Sequence, residues 1–131
     1  MKHKKPFTLD LTNRVLTVRA FGIWTYADAK EYVQKMRQLA QPLLSSDWAL
    51  VLDVRSWQMS PEDVFALLRD NTMWCYQHNL KMAVVLLPND KLLQWQFVKS
   101  TETTRPDDFI SHIAADDTAA QSILRAAGYL A

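Results

Sequence analysis

Trp48-Ala49-Leu50-Val51-Leu52-Asp53-Val54 and Met82-Ala83-Val84-Val85-Leu86-Leu87 carry most of the architectural information in this chain. In neither stretch do apolar and polar residues alternate. A strand that is apolar toward both faces belongs inside a sheet covered on each side, the habit of parallel strands in α/β proteins. Between them, Ser60 is expected to cap a helix. Pro61 suits its first position, and Glu62 and Asp63 complement its dipole. Val64, Phe65, Leu68, Thr72, Cys75 and Tyr76 form its inner face, and Asn79 is its stop.

Upstream, Phe7, Leu9 and Leu11 alternate with Thr8, Asp10 and Thr12, and Val15 to Phe21 is rich in β-branched and aromatic residues. Residues 7–24 therefore read as a hairpin turning at Thr12-Asn13-Arg14, where Asn tolerates a left-handed backbone. Gly22 marks a bulge or a close backbone approach. Thr25-x-x-Asp28 fits a capping box. Ala29, Val33, Met36, Ala40 and Leu43 make one helical stripe that closes between Gln41 and Leu44, beside Pro42. Downstream, Pro88-Asn89-Asp90 starts a third helix running to about Glu102. Phe109 to Ala114 is a weaker strand. Asp116 or Asp117 caps a last helix that Gly128 ends. The order β-β-α-β-α-β-α-β-α predicts one α/β domain over residues 1–131. Its open mixed sheet has about five strands and four helices, with right-handed crossovers.

Composition narrows the function. Of the side chains, 49% are apolar and 22% are charged. That is a globular balance. Fifteen basic against fourteen acidic residues give a net charge of +1, which argues against a nucleic-acid partner. The single Cys75 makes neither an internal disulfide nor a Cys-x-x-Cys site. It agrees with a cytoplasmic setting. With only Gly22 and Gly128, the glycine-rich dinucleotide, P-loop and nucleophile-elbow motifs are all absent. The longest apolar run is far short of the roughly 20 residues of a membrane span. No apolar stretch of signal-peptide length follows the basic start Lys2-His3-Lys4-Lys5.

The element order resembles the SpoIIAA-like proteins, part of the wider STAS group and distantly like the CRAL-TRIO lipid carriers. The likeness rests on the step Phe21-Gly22-Ile23-Trp24-Thr25 into a helix with Asp28, and on the strands Trp48–Val54 and Lys81–Leu87. It spans nearly the whole chain as a pattern. The resemblance implies two roles. Anti-sigma-antagonist STAS proteins bind a partner protein and are switched by phosphorylation of a serine in an Asp-Ser-Ser-Gly-like step after the central strand. Here Asp53-Val54-Arg55-Ser56-Trp57-Gln58-Met59-Ser60 has no Asp-Ser and no glycine. Stand-alone bacterial SpoIIAA-like proteins look like small modules for lipophilic ligands or the membrane surface, and this chain is closer to them in length and in lacking the switch motif.

The third helix is the unusual piece. With Leu92 at zero and about 100° per residue, Leu93, Trp95, Phe97 and Val98 surround the wheel and leave no wide polar face. Such a helix is wholly buried or meets something apolar outside the domain. Lys91 and Lys99 flank the patch and could approach anionic head groups, helped by Lys2–Lys5. Of five tryptophans, Trp24 and Trp57 fall near helix starts and could wall a pocket at the carboxyl ends of the strands.

Asp53 is expected to accept backbone N–H groups in the following loop, with Arg55 able to pair with it. Cys75 and His78 supply two metal ligands at best, so no metal or cofactor is expected. No polar set converges as an enzyme requires. The expectation is a non-catalytic module that takes a lipophilic ligand or docks on the inner face of the membrane. Contact would be through Trp24, Trp57, Leu92, Leu93, Trp95, Phe97, Lys91 and Lys99. The alternative is a STAS-type interaction module acting through a partner protein or a homo-oligomer.

Overall fold

The computed structural model describes residues 5–131, so Lys2, His3 and Lys4 of the basic start lie outside the described residues; Lys5 is exposed. The elements are β1 (Phe7–Thr12), β2 (Val15–Gly22), α1 (Tyr26–Ala40), a 3-10 turn (Gln41–Leu43), β3 (Trp48–Trp57), α2 (Glu62–Gln77), β4 (Leu80–Leu86), α3 (Lys91–Ser100), β5 (Ile110–Ile113) and α4 (Asp117–Ala126). The sheet has the spatial order β1-β2-β3-β4-β5. Only β1 and β2 are antiparallel; every later pairing is parallel.

Local chemistry sets the element ends. Asn13 turns the hairpin at φ 52°, and Asn79 leaves α2 at φ 73°. Both are left-handed positions that Asn tolerates better than most side chains. The Thr25 hydroxyl accepts from the Asp28 N–H at 3.1 Å, while the Asp28 carboxylate accepts from the Thr25 N–H at 2.9 Å. Asp90 caps α3 by accepting from Leu92 and Leu93, and Asp116 caps α4 by accepting from Ala119.

Because β2, β3, β4 and β5 are laid down in one direction, right-handed crossovers put all three connecting helices on one face. That face buries Leu16, Val18, Ala20, Leu50, Val54 and Ala83 against Ala29, Tyr32 and Met36 of α1, Val64, Phe65 and Cys75 of α2, and Phe97 of α3. The other face buries Val15, Ala49, Val51, Met82, Val84 and Leu86 beneath Ala120 and Leu124 of α4, its one helix, with Tyr129 and Leu130 packed beside them. The doubly apolar central strands are thus explained by unequal layers, three helices against one.

Residues 129–131 return to the β1–β2 turn. The Arg14 N–H donates to the Tyr129 carbonyl at 3.3 Å, the Arg14 guanidinium lies over the Tyr129 ring, and the Ala131 N–H donates to the Asn13 side chain.

Two local expectations need correction. The strand expected to end at Val54 continues to Trp57. After a bulge between Arg19 and Phe21, β2 supplies further partners, Phe21 to Ser56 and Gly22 to Trp57. Ser60 does not cap α2. The N-cap is Pro61, without a side-chain hydrogen bond, because Ser60 is buried and engaged elsewhere.

Candidate functional site

The parallel strands all end at one edge, where the β2–α1, β3–α2 and β4–α3 connections gather. The first two are tied together: the Gln58 N–H donates to the Gly22 carbonyl at 3.0 Å, and the Trp24 N–H donates to the Ser60 hydroxyl at 3.1 Å, which itself donates to the Gln58 carbonyl. The third connection is tied in by the Trp57 ring, which meets Phe65 of α2 and Phe97 of α3 edge-on at 5.3 and 5.7 Å. On the outside of this bonded frame Ile23, Tyr26, Met59, Leu92 and Trp95 are exposed, Leu92 by 59% and Trp95 by 62%. Apolar side chains gathered at one edge are the kind of patch that a lone soluble domain seldom displays without a use.

Inside the same frame lies a cavity of about 120 Å³ between the sheet and the helical layer. Trp24, Trp57, Leu52, Leu68, Val85 and Phe97 form much of its wall. Phe97 is the one fully buried residue of α3, with Leu93 half-buried beside it, and Arg69 of α2 donates to the Ser100 carbonyl at the far end of the helix. Cys75 and Tyr32 also line the cavity. Burial pushes the Cys75 thiol up to about 12 and raises the Tyr32 phenol well above its ordinary value. Both are therefore neutral there at physiological pH.

On the opposite face of the sheet, next to the start of α4, four charged side chains form a network. Asp53 accepts from Arg19 at 2.6 Å and from the Arg55 backbone, Nε and Nη2 at 3.1, 3.0 and 2.9 Å. Asp117 accepts from Arg19 and Arg55, each at 3.1 Å. Burial alone would raise the Asp53 carboxyl, but the hydrogen bonds from Arg55 and Arg19 outweigh it and hold the group below its usual range. With two arginines matched to two aspartates, the network joins β2, β3 and α4 and has no unbalanced charge to offer a ligand.

The eight residues expected to form one contact do not. Trp24, Trp57 and Phe97 face inward, at 2%, 2% and 6% exposure, and meet at the cavity. Leu93 is half-buried, while Leu92, Trp95, Lys91 and Lys99 face out, with Lys99 engaged by Glu102 at 3.5 Å. The structure thus separates an aromatic interior from an apolar exterior within the same few turns. Asn71, Arg105 and the Arg19–Asp117 contact were missed. Asn71 is a buried polar residue on a helix face read as apolar, and nothing in the sequence marked Arg105 as lining a cavity. Arg19 and Asp117 are joined across 98 positions.

Among the described residues no group of three or more His, Cys, Asp or Glu side chains could hold a metal ion, and no helix is long and apolar enough to cross a membrane. A mixed five-stranded sheet in sequential order, with three helices on one face and one on the other, defines a SpoIIAA-like, STAS-type fold. The chain is similar in structure to the anti-sigma factor antagonist SpoIIAA in its unphosphorylated form, with a TM-score of 0.59 and 13% identity over 93% of this chain and 98% of that one. It is also similar to an uncharacterized protein of the DUF3478 family with a SpoIIAA-like fold from Shewanella loihica PV-4, with a TM-score of 0.63 and 12% identity over 90% of this chain and 91% of that one. No family model matches the chain, and no curated protein matches it.

Proposed function

We propose that this protein is a non-catalytic interaction module of the STAS type, holding a partner protein against the carboxyl edge of its sheet. The observation that carries the reading is the exposed set Ile23, Tyr26, Met59, Leu92 and Trp95 on a hydrogen-bonded frame. An exposed tryptophan in such a set is a usual anchor of a protein interface. The surrounding charges favour a protein over an anionic membrane. Lys91 sits beside Asp90, Lys99 is engaged by Glu102, and Glu62 is engaged by Arg69, so the rim carries both signs. The likeness to an anti-sigma factor antagonist supports the same class.

A phosphorylation switch at Ser60 is not part of the proposal. Its hydroxyl is buried between Trp24 and Gln58. A phosphate there would remove the bond that Ser60 donates to Gln58, would have no room in the buried site, and would face Glu62 and Asp63.

The test compares the intact protein with Trp95→Ala. Because Trp95 is mostly exposed, its loss should change stability by no more than about 0.5 kcal/mol. Three readouts are needed: affinity capture, light scattering for self-association, and co-sedimentation with neutral and anionic vesicles. A protein retained by the intact chain and lost by the variant, with no sedimentation, is the expected result. Salt-sensitive sedimentation on anionic vesicles that the variant abolishes would replace this reading with membrane docking. Capture unchanged by the variant would overturn it.

A further inference from the structure

We propose that the interior cavity is a binding site for a small monocarboxylate whose apolar body is no larger than one aromatic ring, with its carboxylate held by Arg105. The inference is independent of the outer edge. It rests on what the cavity wall still offers once the protein's own hydrogen bonds are counted.

Two of the interior polar side chains, Asn71 and Thr72, are already engaged, and the Tyr32 hydroxyl and Cys75 thiol beside them are held neutral by burial. The Asn71 carbonyl oxygen accepts from Arg37 Nε at 2.9 Å, its amide nitrogen donates to the Met36 sulfur at 3.6 Å, and the Thr72 hydroxyl donates to the Leu68 carbonyl at 2.9 Å. A molecule inside therefore meets mainly Trp57, Phe97, Leu52, Leu68 and Val85. An apolar cavity of roughly 150 Å³ takes up benzene. The about 120 Å³ found here suits one ring or a short branched chain rather than the acyl chains of a lipid.

Arg105 is the exposed member of the lining, and the partly exposed Thr101, Tyr76, Phe109 and Ser111 line the cavity with it. Its guanidinium carbon is 5.6 Å from the Phe109 ring centroid, and it makes no salt bridge among the described residues, whereas Lys81 and Lys99 each have an acidic partner. A guanidinium free of carboxylates at the rim of an apolar cavity matches an anion with an apolar tail, because its fork can bond both oxygens of one carboxylate.

The probes are phenylacetate and its neutral counterpart phenylacetamide. The reporter is intrinsic fluorescence, since Trp24 and Trp57 line the cavity, with thermal shift as the second measure. Phenylacetate should change the fluorescence saturably and raise the melting temperature. Arg105→Gln, on an exposed side chain, should weaken phenylacetate about tenfold or more while leaving phenylacetamide unchanged. Val85→Phe, which fills the cavity, should abolish both. If that variant fails to fold, competition for phenylacetate by benzene, which lacks a carboxylate, locates the site instead. No response to phenylacetate at about 10 mM overturns the proposal, as does an equal effect of Arg105→Gln on both probes. Trp95→Ala should not alter phenylacetate binding, so failure here and failure of the interaction surface are separate results.

Discussion

Replacing Asp53 by Ala removes the acceptor at the centre of the β2–β3–α4 network. Four hydrogen bonds go with it, one from Arg19 and three from Arg55, at 2.6–3.1 Å. A hydrogen bond to a charged group contributes about 1.5–3 kcal/mol, but bonds sharing one acceptor are not additive. Breaking a fully buried ion pair costs about 3–5 kcal/mol. Here the aspartate side chain is 11% exposed while both arginines are more than a third exposed and keep Asp117, so water and that second carboxylate recover part of the loss. The expected destabilisation is about 2–3 kcal/mol at pH 7. For a chain of this length that lowers the melting temperature by roughly 6–12 °C.

Equilibrium urea unfolding followed by circular dichroism measures it, with an unchanged m-value showing that the fold is kept. The pH dependence gives an independent check. The folded-state Asp53 carboxyl lies below its ordinary value of 3.8. Its ionisation therefore stabilises the fold fully above that ordinary value and loses this effect as the pH falls through the lower folded value. The gap between parent and variant should be constant near neutrality and narrow below about pH 4. A variant within about 0.5 kcal/mol of the parent at pH 7 would refute the assignment, and so would a gap that persists unchanged in acid.

Ser60→Ala strands the buried Trp24 N–H. It should cost about 1–3 kcal/mol on urea titration, and a loss well under 1 kcal/mol would mean that water replaces the bond. Thr25→Ala removes half of the α1 capping box. It should cost about 1 kcal/mol, read as a lower thermal midpoint with α2 and the sheet unaffected. Cys75 is buried, with its thiol pushed up to about 12. It should react at neutral pH with a thiol reagent too large for the cavity only as fast as the fold opens; a rapid burst in the native protein would contradict its placement.

The sequence was most legible where one segment holds its own determinants. The Thr25–Asp28 box, the Asp90 and Asp116 caps and the Asn13 and Asn79 turns are set by side chains within three residues of the backbone they serve. The apolar runs of β3 and β4 likewise announce a covered sheet. Legibility failed where a distant partner captured a local group. Ser60 fits a helix cap by every local rule, yet Trp24 takes its hydroxyl from 36 positions away. The end of β3 depends on partners that β2 presents only after its bulge. For α3, the all-round apolar wheel goes with a helix that leaves Leu92, Trp95 and Val98 exposed. It cannot say that Phe97 goes fully inward while Leu92 and Trp95 stay out, because that depends on where Trp57 stands. The cavity was half-legible, in that Trp24 and Trp57 were expected to wall a pocket, but its rim cation Arg105 comes from a loop with no motif.

The lone helix on the second face gives the chain a problem of timing. Val15, Ala49, Val51, Met82, Val84 and Leu86 are all made before their cover, since Ala120 and Leu124 belong to the last helix. At roughly 5–20 residues per second, the stretch from Leu86 to Leu124 takes about 2–8 s to synthesise. Throughout that interval a nascent sheet has its three-helix layer under construction and its other face bare. Ala131 and Tyr129, returning to Asn13 and Arg14, close onto the hairpin that is made before α4. A chain cut shortly before Asp117 should therefore expose this face and bind chaperones, and supplying α4 should cover it.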